Sequence, residues 1–336
     1  MKLDERSTAA VTKGVGITGP SFLFIGPSKA GSSWFFEILR EHPHVFVPNN
    51  KATFFFSAYY EQGIGWYESF FAKAKGREVC GEVCHDYLAS RESLYRIRDY
   101  RSDMRVICCL RNPYERALSS WRFFRRNGMD EPTLAAQAIR YPTVFEEGYY
   151  ATHLSELRKI FPDEQILLFF FEELAGDPEG VVRRLYDFVG VASDFRPPSI
   201  HARINVNATP RCRLLARVAQ NVHQQSWKKS RMFSNFIGAV KRIKPFRRLV
   251  RSALYSESLP APDWRKHLNE FPPRVVRRYE CEIALLEAML KRDLTHWHAS
   301  AEFPARIPPS MEPTSQVSVA PARASHGQSP HRKTML

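Results

Sequence analysis

A chain of 336 residues, 44% hydrophobic, 13% aromatic and 25% charged, has ample material for a core and is not a wholly disordered polymer. No run approaches the ~18 apolar residues that a membrane-spanning helix needs, and the six cysteines, with Cys108 and Cys109 adjacent in an apolar run, form no secreted disulfide framework. The formal charge of +14 is concentrated: Phe195 to Ser256 holds 14 Lys/Arg and no acid, while the rest balances at 35 basic to 35 acidic residues, which favours an anionic partner.

In chain order, residues 1–19 are small and polar, lack the apolar stretch of a signal peptide, and read as a flexible lead-in. Ser21 to Gly26 is a short apolar run ending at glycine, which suits a buried strand. After a Gly/Ser turn, Trp34, Phe35, Ile38 and Leu39 fall at helical spacing and Pro43 marks the end. Arg105 to Leu110 is a second buried strand, and Pro113 opens a helix through Ser119, Trp121 and Phe124. A helical pattern from about Phe145 to Phe161 precedes a third strand, Ile166 to Phe171. Strands alternating with helices predict an α/β fold, a parallel sheet flanked by helices on both faces.

Beyond Pro197-Pro198 the chain turns basic and sheet-poor, with apolar residues and Lys/Arg mixed from Phe236 to Tyr255. Val275 to Leu294 reads as an amphipathic helix presenting Val276, Tyr279, Ile283, Leu286 and Leu290 on one face. Residues 303–336, rich in Pro, Ser, Ala and Gln without periodicity, are expected to be disordered.

Gly26-Pro-Ser-Lys29-Ala30-Gly31-Ser32-Ser33-Trp34 lies between the first strand and the first helix. Such a turn aims backbone N–H groups at one point, and the helix N-terminus adds positive potential there, so phosphate or sulfate is the natural guest. The nucleotide-triphosphatase loop places lysine after its second glycine. Gly26 and Gly31 have that separation, but Ser32 stands where the lysine would be, and the lysine is inside the loop at Lys29. The second strand ends in Arg111 rather than a metal-holding Asp, and arginine clamps phosphate but repels a cation. Ser119 follows two helical turns later. Two anion grips and no metal suit a nucleotide bearing a separate phosphate.

The loop Ile25–Trp34, the segment Arg105–Trp121 and their spacing resemble the nucleotide-dependent sulfotransferase superfamily, whose fold is a P-loop-like parallel sheet. Further segments are similar to its bacterial and glycan-acting, heparan-sulfate-sulfotransferase-like branch. They are His42-Pro43, Lys51 with Phe54–Phe56, Gly65-Trp66-Tyr67, Gly81-Glu82 with Asp86-Tyr87-Leu88, Tyr149-Tyr150 with His153-Leu154, and Arg292-Asp293-Leu294 with Trp297. The resemblance covers roughly residues 20–297 as one domain. It implies 3′-phosphoadenosine-5′-phosphosulfate as co-substrate, with Lys29, Ala30, Gly31, Ser32 and Ser33 around the 5′-phosphosulfate, Trp34 in the core or packed on the adenine side, and Arg111 with Ser119 on the 3′-phosphate. Asn207, Arg211 and Arg213 stand where relatives close over the nucleotide. The acceptor it implies is a hydroxyl or amine of a carbohydrate or glycolipid.

The glycan-acting relatives place a glutamate base after the Lys51 position, and this chain has Ala52; Phe54, Ser57 and Val83 also replace the relatives' polar residues. A base is still required, because an acceptor hydroxyl loses its proton as sulfur is attacked. The replacement expected is His85, titrating near neutral pH and oriented by Glu82 or Asp86, with Glu82 itself next. His85 could equally fill a half-buried slot, and the aromatic clusters Phe54–Phe56, Tyr59-Tyr60 and Trp66-Tyr67 could be core or sugar platform.

Two rival readings are a metal-dependent kinase, opposed by the displaced lysine and by Arg111, and a non-catalytic basic module binding nucleic acid or membrane, which leaves the loop and the Arg111/Ser119 pair without purpose. The expectation is therefore a cytoplasmic transferase that needs no metal and binds no nucleic acid, with residues 195–256 available to an anionic glycan or to the acidic inner surface of a membrane.

Overall fold

The computed structural model describes residues 19–74, 79–126, 131–202 and 263–299. Residues 1–18 of the lead-in, nearly all of the basic segment including Asn207, Arg211 and Arg213, and the tail 303–336 lie outside them.

The described elements, in order, are β1 (Phe22–Gly26), α1 (Ser32–Glu41), β2 (Val45–Phe46), α2 (Phe55–Ala58), α3 (Ile64–Glu68), β3 (Val79–Val83), α4 (Arg91–Tyr100), β4 (Arg105–Leu110), α5 (Pro113–Arg126), α6 (Leu134–Arg140), α7 (Thr143–Glu146), α8 (Tyr150–Ile160), β5 (Ile166–Phe170), α9 (Glu173–Gly176), α10 (Pro178–Val189) and α11 (Pro273–Leu290). Five parallel strands form one sheet in the order β2-β3-β1-β4-β5. Strand periodicity divides the core into two layers. Phe22, Phe24, Ile107, Cys109 and Phe169 pack with α1 and α10 on one face. Leu23, Ile25, Val106, Cys108 and Leu110 pack with α4, α5, α8 and α11 on the other. Both faces are covered, so the strands read as continuous apolar runs.

The helix after β1 and the helix after β4 therefore lie on opposite faces of adjacent strands. That divergence opens a crevice at the carboxyl ends of β1 and β4, where open α/β sheets bind ligands. Asn112 caps α5, its Oδ1 accepting from the N–H groups of Tyr114 and Glu115 at 3.0 and 3.3 Å. Its Nδ2 donates to the Trp297 carbonyl at 3.3 Å, which fixes Arg111 at the crevice edge.

Three boundaries differ from the sequence expectation. The stretch Phe145–Phe161 divides into α7 and α8 around Gly148. Helix α11 stops at Leu290 instead of Leu294, because Lys291 turns left-handed at φ 49°. Strands β2 and β3 were not anticipated, the one because it has two residues and the other because Gly81 and Glu82 break its apolar pattern. Among the described residues no helix is long and apolar enough to cross a membrane.

Candidate active site

The loop after β1 is shaped by left-handed backbone. Gly26 has φ 118°, and a Cβ there would lie 2.8 Å from the His85 carbonyl, so glycine lets the two strand ends approach. Gly31 has φ 86° and caps α1, its carbonyl accepting from Trp34 and Phe35 N–H at 2.8 and 3.2 Å. Lys29, also left-handed at φ 63°, rests its Nζ 3.4 Å from the centre of the Phe123 ring. Helix α1 starts at Ser32, so the N–H groups of its first turn, those of Ser32 and Ser33 included, face the loop without intrahelical acceptors.

Three side chains from elsewhere brace this loop. Arg111 Nη1 donates to the Lys29 carbonyl at 3.3 Å, while its Nε and Nη2 donate to Glu115 Oε2 at 3.0 and 2.8 Å. Glu147 accepts from the Ser28 N–H at 3.2 Å and from the Ser28 hydroxyl, and Arg116 Nη1 reaches the same oxygen at 3.0 Å. Arg116 is fully buried. Lys51, on the segment after β2, donates from Nζ to Ser32 Oγ at 2.9 Å and Ser33 Oγ at 2.7 Å. Burial lowers its pKa to about 8, against the opposing pull of Cys84 and Glu37.

The end of β3 is stitched beside β1: Cys84 N–H bonds the Phe24 carbonyl and Leu88 N–H bonds the Ile25 carbonyl, each at 2.9 Å. This brings His85 to the loop, its ring edge-on to Phe54 at 5.5 Å. With Pro27, Asp86, Leu88, Ala89 and Glu147 it lines a cavity of about 20 Å³, room for one hydroxyl or water. The ring is half-buried, and its Nδ1 is buried without a hydrogen-bond partner among the described residues. Burial first, then the fields of Lys51 and Lys29, lower the pKa of His85 to about 3. The expected titration near neutral pH is thus displaced far downward.

Glu82 lies in the core beside β1. It is fully buried, and its carboxylate accepts from Thr53 N–H and Thr53 Oγ1 at 2.7 Å each, Tyr67 OH at 2.8 Å and Tyr87 OH at 3.3 Å. Burial raises its pKa, with those hydrogen bonds pulling the other way. Trp34 has both donors committed, its N–H to Gly31 and its indole to the Ile200 carbonyl at 3.0 Å, and Ala30 is fully buried. Both side chains are buried. Ser119 is half-buried on α5, one turn beyond Glu115. A larger cleft of about 300 Å³ between α10 and Ser193–Ile200 includes none of the loop residues.

The sequence did not reveal the positions of Lys51, Arg116 and Glu147 in this site. The available signal was modest: Lys51 follows a strand, β2, whose carboxyl end in a parallel α/β fold lies on the ligand side.

A family model described as the sulfotransferase domain matches residues 20–236. Heparan sulfate glucosamine 3-O-sulfotransferase 6 of Homo sapiens is 31% identical over 180 residues, covering 51% of this chain and 52% of that protein. Human heparan sulfate glucosamine 3-O-sulfotransferase 3B1 is 29% identical over 181 residues, 51% of this chain and 46% of its own length. The chain thus spans about half the length of the curated relatives it matches. A solved sulfotransferase from Alicyclobacillus acidocaldarius superposes with a TM-score of 0.57 at 23% identity, over 83% of this chain and 98% of the other, a likeness of fold.

Proposed function

The chain belongs to the sulfotransferase family, and on that footing we propose that it moves a sulfuryl group from 3′-phosphoadenosine-5′-phosphosulfate to a carbohydrate or glycolipid hydroxyl. The observation that carries this reading is the anion loop whose own lysine, Lys29, sits inside the turn and whose backbone is held by Arg111 at the end of the next strand. Lys29 and the first N–H groups of α1 are suited to the 5′-phosphosulfate. Arg111 and Ser119 are suited to the 3′-phosphate, with Glu115 yielding the guanidinium as the phosphate enters. We assign Asn207, Arg211 and Arg213 to the same nucleotide as an extension of this reading, and residues 195–256 to an anionic acceptor or membrane surface.

In the reaction an acceptor oxygen forms a bond to sulfur while the bond from sulfur to the 5′-phosphate oxygen breaks, and the electron pair stays with the phosphate. Lys29 neutralises charge growing on that departing oxygen. His85, which lines a cavity the size of one hydroxyl, takes the acceptor proton. It is neutral at physiological pH, its basicity held low first by burial and then by the lysine fields, and an anionic donor lying on Lys29 and Lys51 offsets the second of these causes. Glu82 serves as a clasp rather than as the base.

The test is transfer of labelled sulfuryl from the donor to a panel of extracted glycans, glycolipids and small alcohols. Label is expected in a carbohydrate fraction. Label confined to small alcohols would overturn the acceptor class, and none anywhere would overturn the activity.

A further inference from the structure

We infer that His298 is a positioning residue for the 3′-phosphate grip, a protonated bridge between Glu280 and Glu287 that ties the chain after α11 onto the turn carrying Arg111. This deepens the donor reading above and rests on it. Three observations carry it.

The first is the bridge itself. Glu280 and Glu287 lie two turns apart along one face of α11. The chain turns at Lys291 and brings His298 back to them, its Nδ1 2.7 Å from Glu280 Oε2 and its Nε2 3.2 Å from Glu287 Oε2. An ionised carboxylate only accepts, so both ring nitrogens donate and the imidazole carries its second proton. Glu280 is fully buried, and its other oxygen accepts from the Tyr114 hydroxyl at 2.6 Å and the Ala299 N–H at 2.9 Å. With the proton lost, one nitrogen would turn a lone pair on a carboxylate, and the two acids would lose their shared counter-charge.

The second is what the bridge holds. Trp297, the preceding residue, is buried; its carbonyl accepts from Asn112 Nδ2 at 3.3 Å, and its ring packs 6.1 Å from that of Tyr150. Tyr150 OH donates to the Arg111 carbonyl at 2.7 Å. Tyr114, through Glu280, is the third tie. Arg111, Asn112 and Tyr114, the stretch from the end of β4 into α5, are thus each reached from His298.

The third is charge. Among the described residues, Glu280 and Glu287 of α11 meet His298, and the Tyr114 hydroxyl of α5 meets Glu280. The other cations of the same stretch are engaged elsewhere: Arg292 pairs with Glu173 at 2.8 Å, and His296 approaches Glu172 at 3.4 Å. Burial would raise the pKa of Glu280, but its bonds from His298, Tyr114 and Ala299 outweigh that and lower it. The bond to Glu280 first, against burial, and then the bond to Glu287 raise the pKa of His298. The bridge is therefore complete below the ordinary histidine value of 6.5 and is lost as pH rises through the higher value in the fold.

The experiment compares wild type with His298→Gln, which removes the charge, and His298→Lys, which makes it permanent. The readouts are calorimetry with 3′,5′-bisphosphoadenosine from pH 6 to pH 9, and titration of the His298 ring by NMR in the protein without nucleotide. The ring is expected to titrate above 6.5. At pH 6, binding is expected to weaken about ten-fold in His298→Gln and to hold near wild type in His298→Lys. By pH 9 the wild type approaches His298→Gln, while His298→Lys keeps its advantage over both. A folded His298→Gln with wild-type affinity at pH 6, a wild-type to glutamine ratio that is constant with pH, or a lysine variant as weak as the glutamine one overturns the inference. Should His298→Gln fail to fold, the advantage of His298→Lys over wild type at pH 9 carries the test, and its absence overturns the inference. A ring that titrates at or below 6.5 overturns the bridge without reference to any nucleotide. A wild type whose ring titrates as expected but which binds no bisphosphoadenosine overturns the donor reading instead, so the two failures are distinguishable.

Discussion

Lys29 and Arg111 are both legible in the sequence. Lysine inside a Gly/Ser turn and arginine at a strand end are local patterns, and local patterns carry the chemistry of anion binding without any knowledge of the fold. Lys51, Glu147 and His85 are different, because their roles depend on which strand ends become neighbours. The pKa of His85, about 3, follows from burial beside two lysines that are distant in sequence. Lys29 lies over the exposed Phe123 ring, a contact worth about 0.5–1 kcal/mol and weak enough to be exchanged for a phosphosulfate. Lys29→Ala is therefore expected to slow kcat on the order of a hundred-fold or more, the loss of ~3–4 kcal/mol of preorganised charge stabilisation. Steady-state kinetics at saturating donor checks it; near-normal turnover would contradict the role.

Among the elements, β3 shows why a buried acid can be structural. Its register sets Glu82 beside Leu23 of β1, and the pleat then points the carboxylate into the layer holding Phe55, Tyr67 and Tyr87. There it gathers the segment that carries Lys51, through Thr53, two residues along. Glu82→Ala strands several buried donors at ~1–3 kcal/mol each, and the expected loss is roughly 3 kcal/mol of folding stability or more. Glu82→Gln, still able to accept from Thr53, should cost about 1 kcal/mol. Urea denaturation of both variants measures this. Equal stability of Glu82→Ala and wild type would contradict the clasp. A strand containing Gly and Glu does not read as a buried strand from pattern alone, because what makes Glu82 tolerable is supplied by three other segments.

For the whole molecule, the alternation of strands and helices sufficed to predict the parallel sheet, since each crossover of this kind buries one apolar strand under one apolar helix face. The strand order was not legible, and the order is what matters: β1 and β4 are neighbours with helices on opposite faces, and their ends make the crevice. The excess charge from Phe195 to Ser256 was plain from counting, but a count assigns no geometry, and nearly all of that segment lies outside the described residues. The account as a whole requires that one small anion-bearing nucleotide occupy that crevice, gripped at one end by the lysine-bearing turn and at the other by Arg111. Isothermal calorimetry with 3′,5′-bisphosphoadenosine, in chelator and without divalent metal, tests this most directly. The account predicts saturable heat of binding to the wild-type protein that weakens at least ten-fold, about 1.4 kcal/mol, in Arg111→Ala. No heat with bisphosphoadenosine, alongside tight binding of ATP with magnesium, would contradict it.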